Sequence, residues 1–222
     1  MTLSLKALNN LGVLESKLPF DIFKNLKSVI DTMGDTGEKY NHKLLGHMQE
    51  EYSLNHIKEN MSEFLLAMAD TWQINNPGFL DTFEEVSKSK KYNLIVDSMW
   101  VNKQKKYEFN PIHHHSGVLS FVIWIKIPYE LKDEETYFPL NSDILHESDN
   151  TDTSGAYTSK FTFIYNDILG RIQTTPVPVD KTWEGTILMF PATLNHCVYP
   201  FYTSDDYRIS VSGNIRISLD CN

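Results

Sequence analysis

Apolar positions in the first third of the chain recur at the spacing of α-helices. Between residues 21 and 34 they fall every three or four residues, and Gly34 then provides a stop signal. A longer stripe runs from Leu54 to Trp72 over about five turns, after Ser53, which suits an N-cap. The segment between them, residues 41–54, is also expected to be helical. This third carries no functional motif, and we expect its helices to cover an apolar face of the remainder.

The pattern changes near residue 92 to short runs rich in Val, Ile, Phe, Tyr and Thr, separated by turn residues. Five such runs cover residues 92–104, 117–129, 159–167, 185–192 and 207–219. Short strands without intervening helices are typical of an antiparallel sandwich or barrel. The polar stretch 130–160 is expected to be a long loop that binds a ligand, acts as a lid or is disordered. We therefore expect one domain over residues 1–222, with a helical part (1–90) and a β core (91–222).

Composition excludes several classes of protein. Hydrophobic residues make up 41% of the chain, which excludes general disorder, and the net charge of -9 argues against nucleic acid as a partner. Two cysteines cannot form a disulfide framework, so a reducing compartment is expected. The longest apolar run, residues 118–127, is too short to span a bilayer. These features predict a cytoplasmic globular protein without membrane association, whose oligomeric state stays open.

Three histidines stand together in the segment NPIHHHSG. Residues i and i+2 of a strand face the same side, so His113 and His115 can converge on one ion while His114 points away. His196 follows a strand that ends in a proline-marked turn, and it could supply a third imidazole from the opposite sheet. Each histidine alone is more often a packed or surface residue, so the pattern needs further support.

A polar alternation begins twelve residues after His196. It places Arg208, Ser210, Ser212, Asn214 and Arg216 on one face of a predicted strand. One interpretation is the solvated outer face of an edge strand. The other is a polar cavity wall, in which the Arg208 fork binds a carboxylate and Ser210 adds a hydroxyl contact.

The order His-x-His, distal His and Arg-x-Ser resembles that of the Fe(II)/2-oxoglutarate-dependent oxygenases. More narrowly, the segments NPIHHHSGVLSFVIWIKIP, MFPATLNHCVYPF and RISVSGNI resemble the 2-oxoglutarate-iron oxygenases common in marine phages and bacteria, over residues 100–217. The resemblance implies a mainly β fold, a double-stranded β-helix (jelly roll, cupin-like) with N-terminal helices packed on one sheet. It is also compatible with a phage-encoded protein that acts in the host cytoplasm.

By residue, the resemblance implies that His113, His115 and His196 bind iron and are catalytic. It implies that Arg208 and Ser210 bind the distal carboxylate of 2-oxoglutarate, with Asn102 near the site in a Trp-x-Asn pattern formed with Trp100. His115 stands where the usual facial triad has a carboxylate. Three neutral imidazoles leave the Fe(II) site at +2 rather than +1, which an anionic co-substrate would offset.

The function expected on this basis is that of an Fe(II)- and 2-oxoglutarate-dependent oxygenase of the hydroxylase type. It would use O2 and act on a small-molecule or peptidyl substrate, with specificity set by residues 130–160, Tyr129 and Tyr137. One alternative is a cupin-type three-histidine dioxygenase that does not use 2-oxoglutarate and needs no carboxylate clamp at Arg208 and Ser210. Another is a non-catalytic jelly-roll binding or structural module whose histidines are packed and metal-free.

Overall fold

The computed structural model describes residues 11–34, 36–88, 91–137 and 157–219. Within these ranges the helices are α1 (Phe20–Met33), α2 (Lys58–Asn75), α3 (Glu84–Lys88) and α4 (Leu131–Tyr137). The strands are β1 (Leu14–Lys17), β2 (Glu50–Ser53), β3 (Tyr92–Gln104), β4 (Asn110–His113), β5 (Leu119–Lys126), β6 (Phe161–Asn166), β7 (Ile172–Val177), β8 (Thr186–Pro191), β9 (Asn195–Val198) and β10 (Arg208–Leu219). They form two antiparallel sheets, one in the order β1-β8-β5-β10-β3-β2 and the other in the order β4-β9-β6-β7.

One face of the six-stranded sheet is apolar, and the other carries polar side chains on β3 and β10 but apolar ones on β5 and β8. Apolar residues such as Met99 and Val211 are fully buried in one core cluster with Leu65 and Trp72 of α2. Burying a side chain of leucine size stabilises a fold by roughly 1.5–3 kcal/mol, so the stripe on α2 holds this helix to the sheet. The expectation of a mainly β fold with N-terminal helices on one sheet is therefore confirmed. The partly polar face is turned toward the four-stranded sheet.

Two details of the first third differ from expectation. Ser53 is the last residue of β2 rather than a helix N-cap, and α2 begins at Lys58 after the 3-10 turn Asn55–Ile57. The segment 41–54 is helical only in the 3-10 turn Asn41–Lys43. The helical prediction was wrong here because β2 pairs with β3, and this ladder satisfies the backbone N–H and C=O groups of β2. A pairing with a distant strand leaves no signal in the local sequence pattern.

A second core lies between the two sheets. Trp124 of β5 and Phe190 of β8 meet Phe161 and Phe163 of β6, with ring centroids 5.0–6.2 Å apart. Aromatic rings in such tilted and edge-on pairs fix the separation of the sheets. The predicted loop 130–160 contributes α4, while residues 138–156 fall outside the described ranges. No helix in the described part of the chain is long and apolar enough to cross a membrane.

Candidate active site

The structure brings the three predicted ligand histidines together. His113 ends β4 and is the register partner of His196 on β9, while His115 follows two residues later. One ring nitrogen from each histidine lies within 4.8 Å of the others. All the strands that carry them belong to the four-stranded sheet, so the expectation that His196 reaches across from the opposite sheet was wrong. The turn after Pro191 returns the chain from one sheet to the other before His196.

Backbone carbonyls orient two of these rings. The Nδ1 atom of His113 lies 2.7 Å from the Pro111 carbonyl oxygen, and that of His196 lies 2.9 Å from the Leu194 carbonyl oxygen. A carbonyl can only accept, so each Nδ1 carries the proton and each Nε2 is left with a free lone pair. This is the usual outer support of a metal-binding histidine. Phe161 stacks on His196 at 5.1 Å between ring centroids.

All three imidazoles are held in their neutral form. Burial lowers the pKa of His113, lowers that of His115 to about 3, and brings that of His196 well below its ordinary value. Metal binding requires the neutral ring, so this arrangement favours coordination. Three imidazole nitrogens suit a divalent transition metal, Fe(II) among several. The residues present therefore fit an iron site that lacks the carboxylate of the usual triad.

A polar cavity of about 330 Å³ adjoins the histidines. It is lined by Trp100, Asn102 and Gln104 of β3 and by Ser210 and Arg208 of β10. Strand β10 lies between β5 and β3 in the interior of its sheet, so the interpretation of its polar face as a solvated edge was wrong. The same alternation forms a cavity wall.

Arg208 is 4% exposed, and each of its five N–H groups has an acceptor within the protein. The Gln104 side-chain oxygen accepts from Nε at 3.0 Å and from Nη2 at 2.6 Å. Nη2 also donates to the Tyr199 carbonyl at 2.8 Å. Nη1 donates to the Tyr129 hydroxyl at 2.7 Å and to the Ser159 carbonyl at 2.5 Å. The guanidinium thus sits in the cavity wall with neutral acceptors on every edge.

Asn102 and Ser210 are joined by a hydrogen bond. The Asn102 side-chain nitrogen donates to the hydroxyls of Ser210 at 3.3 Å and Ser212 at 3.4 Å. Asn102 is 6% exposed, and its side-chain oxygen has no hydrogen-bond partner in the part of the chain that the structure describes. Asn102, Ser210 and Arg208, which the resemblance implicated together, therefore line one cavity.

Sequence reasoning missed several residues around this cavity. Gln104 could have been found, because it continues the i, i+2 spacing of Trp100 and Asn102. Tyr129 was expected only to set substrate specificity, and its contact with Arg208 was not foreseen: it is 3% exposed and its hydroxyl accepts from Arg208 at 2.7 Å. Glu51 reaches the cavity only because β2 pairs with β3, and no local signal marks it.

A family model described as "Putative 2OG-Fe(II) oxygenase" matches residues 98–214, which is more than half of the chain. The chain belongs to the 2OG-Fe(II) oxygenase family. Membership implies Fe(II), 2-oxoglutarate and O2 as cofactor and co-substrates, and the histidine cluster is consistent with that set. The match supports this 2OG-Fe(II) oxygenase against the alternatives of a dioxygenase without 2-oxoglutarate and of a non-catalytic module.

Two solved structures resemble this 2OG-Fe(II) oxygenase. A Pseudomonas putida prolyl-4-hydroxylase is 13% identical, with 92% of each chain covered and a TM-score of 0.52. At this identity the similarity shows the fold alone, and it confirms the predicted fold class. An oxidoreductase of the 2OG-Fe(II) oxygenase family from Burkholderia pseudomallei is 13% identical, with 69% of this chain and 55% of that chain covered and a TM-score of 0.36. No curated protein matches the chain.

Proposed function

We propose that this chain is an Fe(II)- and 2-oxoglutarate-dependent dioxygenase of the hydroxylase type, with iron held by His113, His115 and His196. The observation that carries the proposal is the convergence of three neutral ring nitrogens beside a polar cavity, in a chain of this family. When bound, iron with 2-oxoglutarate and O2 would supply the oxidising power to hydroxylate an unactivated C–H bond.

The chain's own contribution is to orient the ligands and to exclude water. The Pro111 and Leu194 carbonyls hold the Nδ1–H groups of two histidines and so prevent ring rotation. Phe161 against His196 and Trp100 at 5.5 Å from His115 cover the rings with aromatic surface. Both effects favour one coordination geometry.

Arg208 and Ser210 are proposed to hold the distal carboxylate of 2-oxoglutarate, with Asn102 beside them. The support is electrostatic. Arg208 is a buried cation, and its acceptors among the described residues are neutral oxygens rather than a carboxylate. A buried charge without a counter-ion is costly, so a carboxylate ligand there would be bound favourably. The Gln104 oxygen accepts from both Nε and Nη2, which is the edge of a guanidinium on which a carboxylate forms two hydrogen bonds. In this proposal the carboxylate of 2-oxoglutarate displaces the Gln104 oxygen from that edge.

The iron site is tested by anaerobic titration of the protein with Fe(II) and 2-oxoglutarate, following the visible charge-transfer band of a chelated 2-oxo acid. We expect a band in the wild type, its loss in His196→Ala, and its retention in the matched variant His114→Ala. His114 is exposed and lies outside the cluster of ring nitrogens. Iron binding without the band would favour a dioxygenase that does not use 2-oxoglutarate. Failure to bind iron would contradict the proposal.

The clamp is tested by Gln104→Glu, which puts a carboxylate on the edge of Arg208 that 2-oxoglutarate would need. We expect half-saturation of the band to require at least about tenfold more 2-oxoglutarate, because the fork is already neutralised. Gln104→Leu removes the competing oxygen and should not weaken binding. Equal 2-oxoglutarate affinity in Gln104→Glu and the wild type would exclude Arg208 as the clamp.

A further inference from the structure

One wall of the cavity is built by the segment between α1 and α2 rather than by the strands that carry the histidines. Tyr40, Met48 and Glu51 from this segment line the cavity. Glu51 lies on β2 opposite Asn102 of β3, and its side chain is 1% exposed. Paired residues in an antiparallel ladder point to the same face, so the two side chains are neighbours. The first third thus contributes a carboxyl group to the site.

Three buried oxygen atoms around this cavity have no hydrogen-bond partner among the described residues. They are Oε1 of Glu51, Oδ1 of Asn102 and Oδ1 of Asn110, and all three residues line the cavity. The other oxygen of Glu51 accepts from the Asn41 side-chain nitrogen at 3.1 Å. Buried acceptors are nearly always satisfied in folded proteins, so three together indicate a missing donor.

Gly46 shows that two of these oxygens lie close together. Both Oε1 of Glu51 and Oδ1 of Asn110 lie within 3.0 Å of the point where a β-carbon on residue 46 would sit. The backbone of Gly46 therefore lies directly over these two oxygens. A side chain at position 46 would push them aside.

We propose that Glu51, Asn102 and Asn110 form a subsite for an ammonium or guanidinium group of the substrate. This inference rests on the function proposed above and names the substrate class for the same cavity. A set of acceptors needs a ligand group with several N–H donors, which a hydroxyl does not provide. One member is a carboxyl group that balances a positive charge, and the two amide oxygens complete the donor–acceptor pairing.

The electrostatic state of Glu51 agrees with this assignment. Burial, with a smaller contribution from the charge of Glu108, raises the pKa of Glu51 to about 7, against the opposing hydrogen bond from Asn41. Lys43, which also lines the cavity, has its ammonium group over the Tyr40 ring, 5.0 Å from the ring centre, and is not among the groups that shift the pKa of Glu51. A bound cation stabilises the ionised carboxyl and lowers this pKa, so binding at neutral pH releases a proton.

The test is calorimetric binding of three probes to the full chain, held anaerobically with Fe(II) and 2-oxoglutarate. The probes are n-butylammonium, tetramethylammonium, which has charge without N–H donors, and n-butanol, which has a donor without charge. We expect n-butylammonium to bind at least about tenfold more tightly than either of the others. We expect Glu51→Gln to weaken it by a similar factor. Glu38→Gln removes an equal charge at an exposed position and should leave binding unchanged.

Several outcomes would overturn the inference. Equal binding of tetramethylammonium would assign recognition to the aromatic rings of Tyr40 and Trp100 in the cavity. Equal binding of n-butanol would show that an uncharged donor is sufficient. Absence of n-butylammonium binding, or binding that Glu51→Gln does not change, would also reject it. Asn110→Ala, whose residue is only partly buried, provides a second variant if Glu51→Gln fails to fold. The charge-transfer band separates the two proposals, since its absence rejects the proposed function whatever the probes do.

Discussion

Replacing Arg208 with alanine removes five hydrogen bonds from the protein interior in one step. Four groups lose Arg208 as a donor: the Gln104 side-chain oxygen, the Tyr129 hydroxyl, and the backbone carbonyls of Tyr199 and Ser159, of which the last keeps the Tyr129 hydroxyl at 3.3 Å. A hydrogen bond to a charged group contributes about 1.5–3 kcal/mol net. The full sum overstates the loss, because water can enter the vacated space and because the cost of burying the charge disappears too. We expect a loss of about 4 kcal/mol, near the upper limit for one substitution.

For a chain of this length, that loss corresponds to a Tm lowered by about 8–16 °C. The measurement is urea unfolding of the metal-free protein, followed by circular dichroism, with thermal unfolding in parallel. Arg216→Ala is the matched control on the same strand, because the Arg216 side chain is 49% exposed and forms an ion pair with Asp97 at 2.6 Å. Such a pair contributes about 0–1 kcal/mol. A loss below about 1 kcal/mol in Arg208→Ala would refute the reasoning, since it would mean that these acceptors do not hold the guanidinium.

Three further predictions concern other parts of the structure. The pKa of Glu51 rises from its ordinary value of 4.5 to about 7 on folding, so the folded state binds more protons between these values and stability falls as pH rises through that window. Glu51→Gln should remove this loss of stability, which is roughly 3 kcal/mol. The measurement is the urea midpoint of each protein at about pH 5 and at about pH 8. An equal change of midpoint between the two pH values in the wild type and in Glu51→Gln would contradict the prediction. Gly213→Ala places a β-carbon 2.5 Å from the Ser98 carbonyl and should cost about 1–3 kcal/mol in thermal unfolding, whereas Gly12→Ala, with open space around it, should cost less. His115→Asp supplies the carboxylate of the usual triad and should retain iron after desalting, whereas His115→Leu should lose it. Equal iron content in the two variants would exclude this position as a ligand.

Local periodicity was sufficient to predict much of this fold. The stripe that ends at Trp72 and the alternation that begins at Arg208 each follow from side-chain geometry within one element. The i, i+2 spacing also predicted that His113 and His115 converge, although β4 ends at His113 and His115 lies just beyond the strand. These features need no knowledge of the partner against which the element packs.

Other features depend on contacts between distant segments. The strand β2 was predicted as helix because its ladder is with β3, about fifty residues away in the chain. The acceptors around Arg208 come from four separate stretches of chain, so the Arg-x-Ser spacing indicates a binding fork without revealing that the fork is already filled. The position of Glu51 in the site follows from the same pairing of β2 and is equally invisible to local pattern.

Asn102 lies where the two proposals meet, and its amide has a different role on each side. Its nitrogen donates toward Ser210 and Ser212, on the side proposed for 2-oxoglutarate. Its oxygen has no partner within residues 11–34, 36–88, 91–137 and 157–219, and its neighbour across the ladder is Glu51, on the side proposed for a substrate cation. Three neutral imidazoles leave the metal charge uncompensated, so an anionic co-substrate is favoured near the iron and Arg208. The carboxyl group of Glu51, on β2, two strands away from Arg208 in the same sheet, favours a cation there instead. In the proposed enzyme this charge difference orients both ligands, which a site of uniform charge could not do.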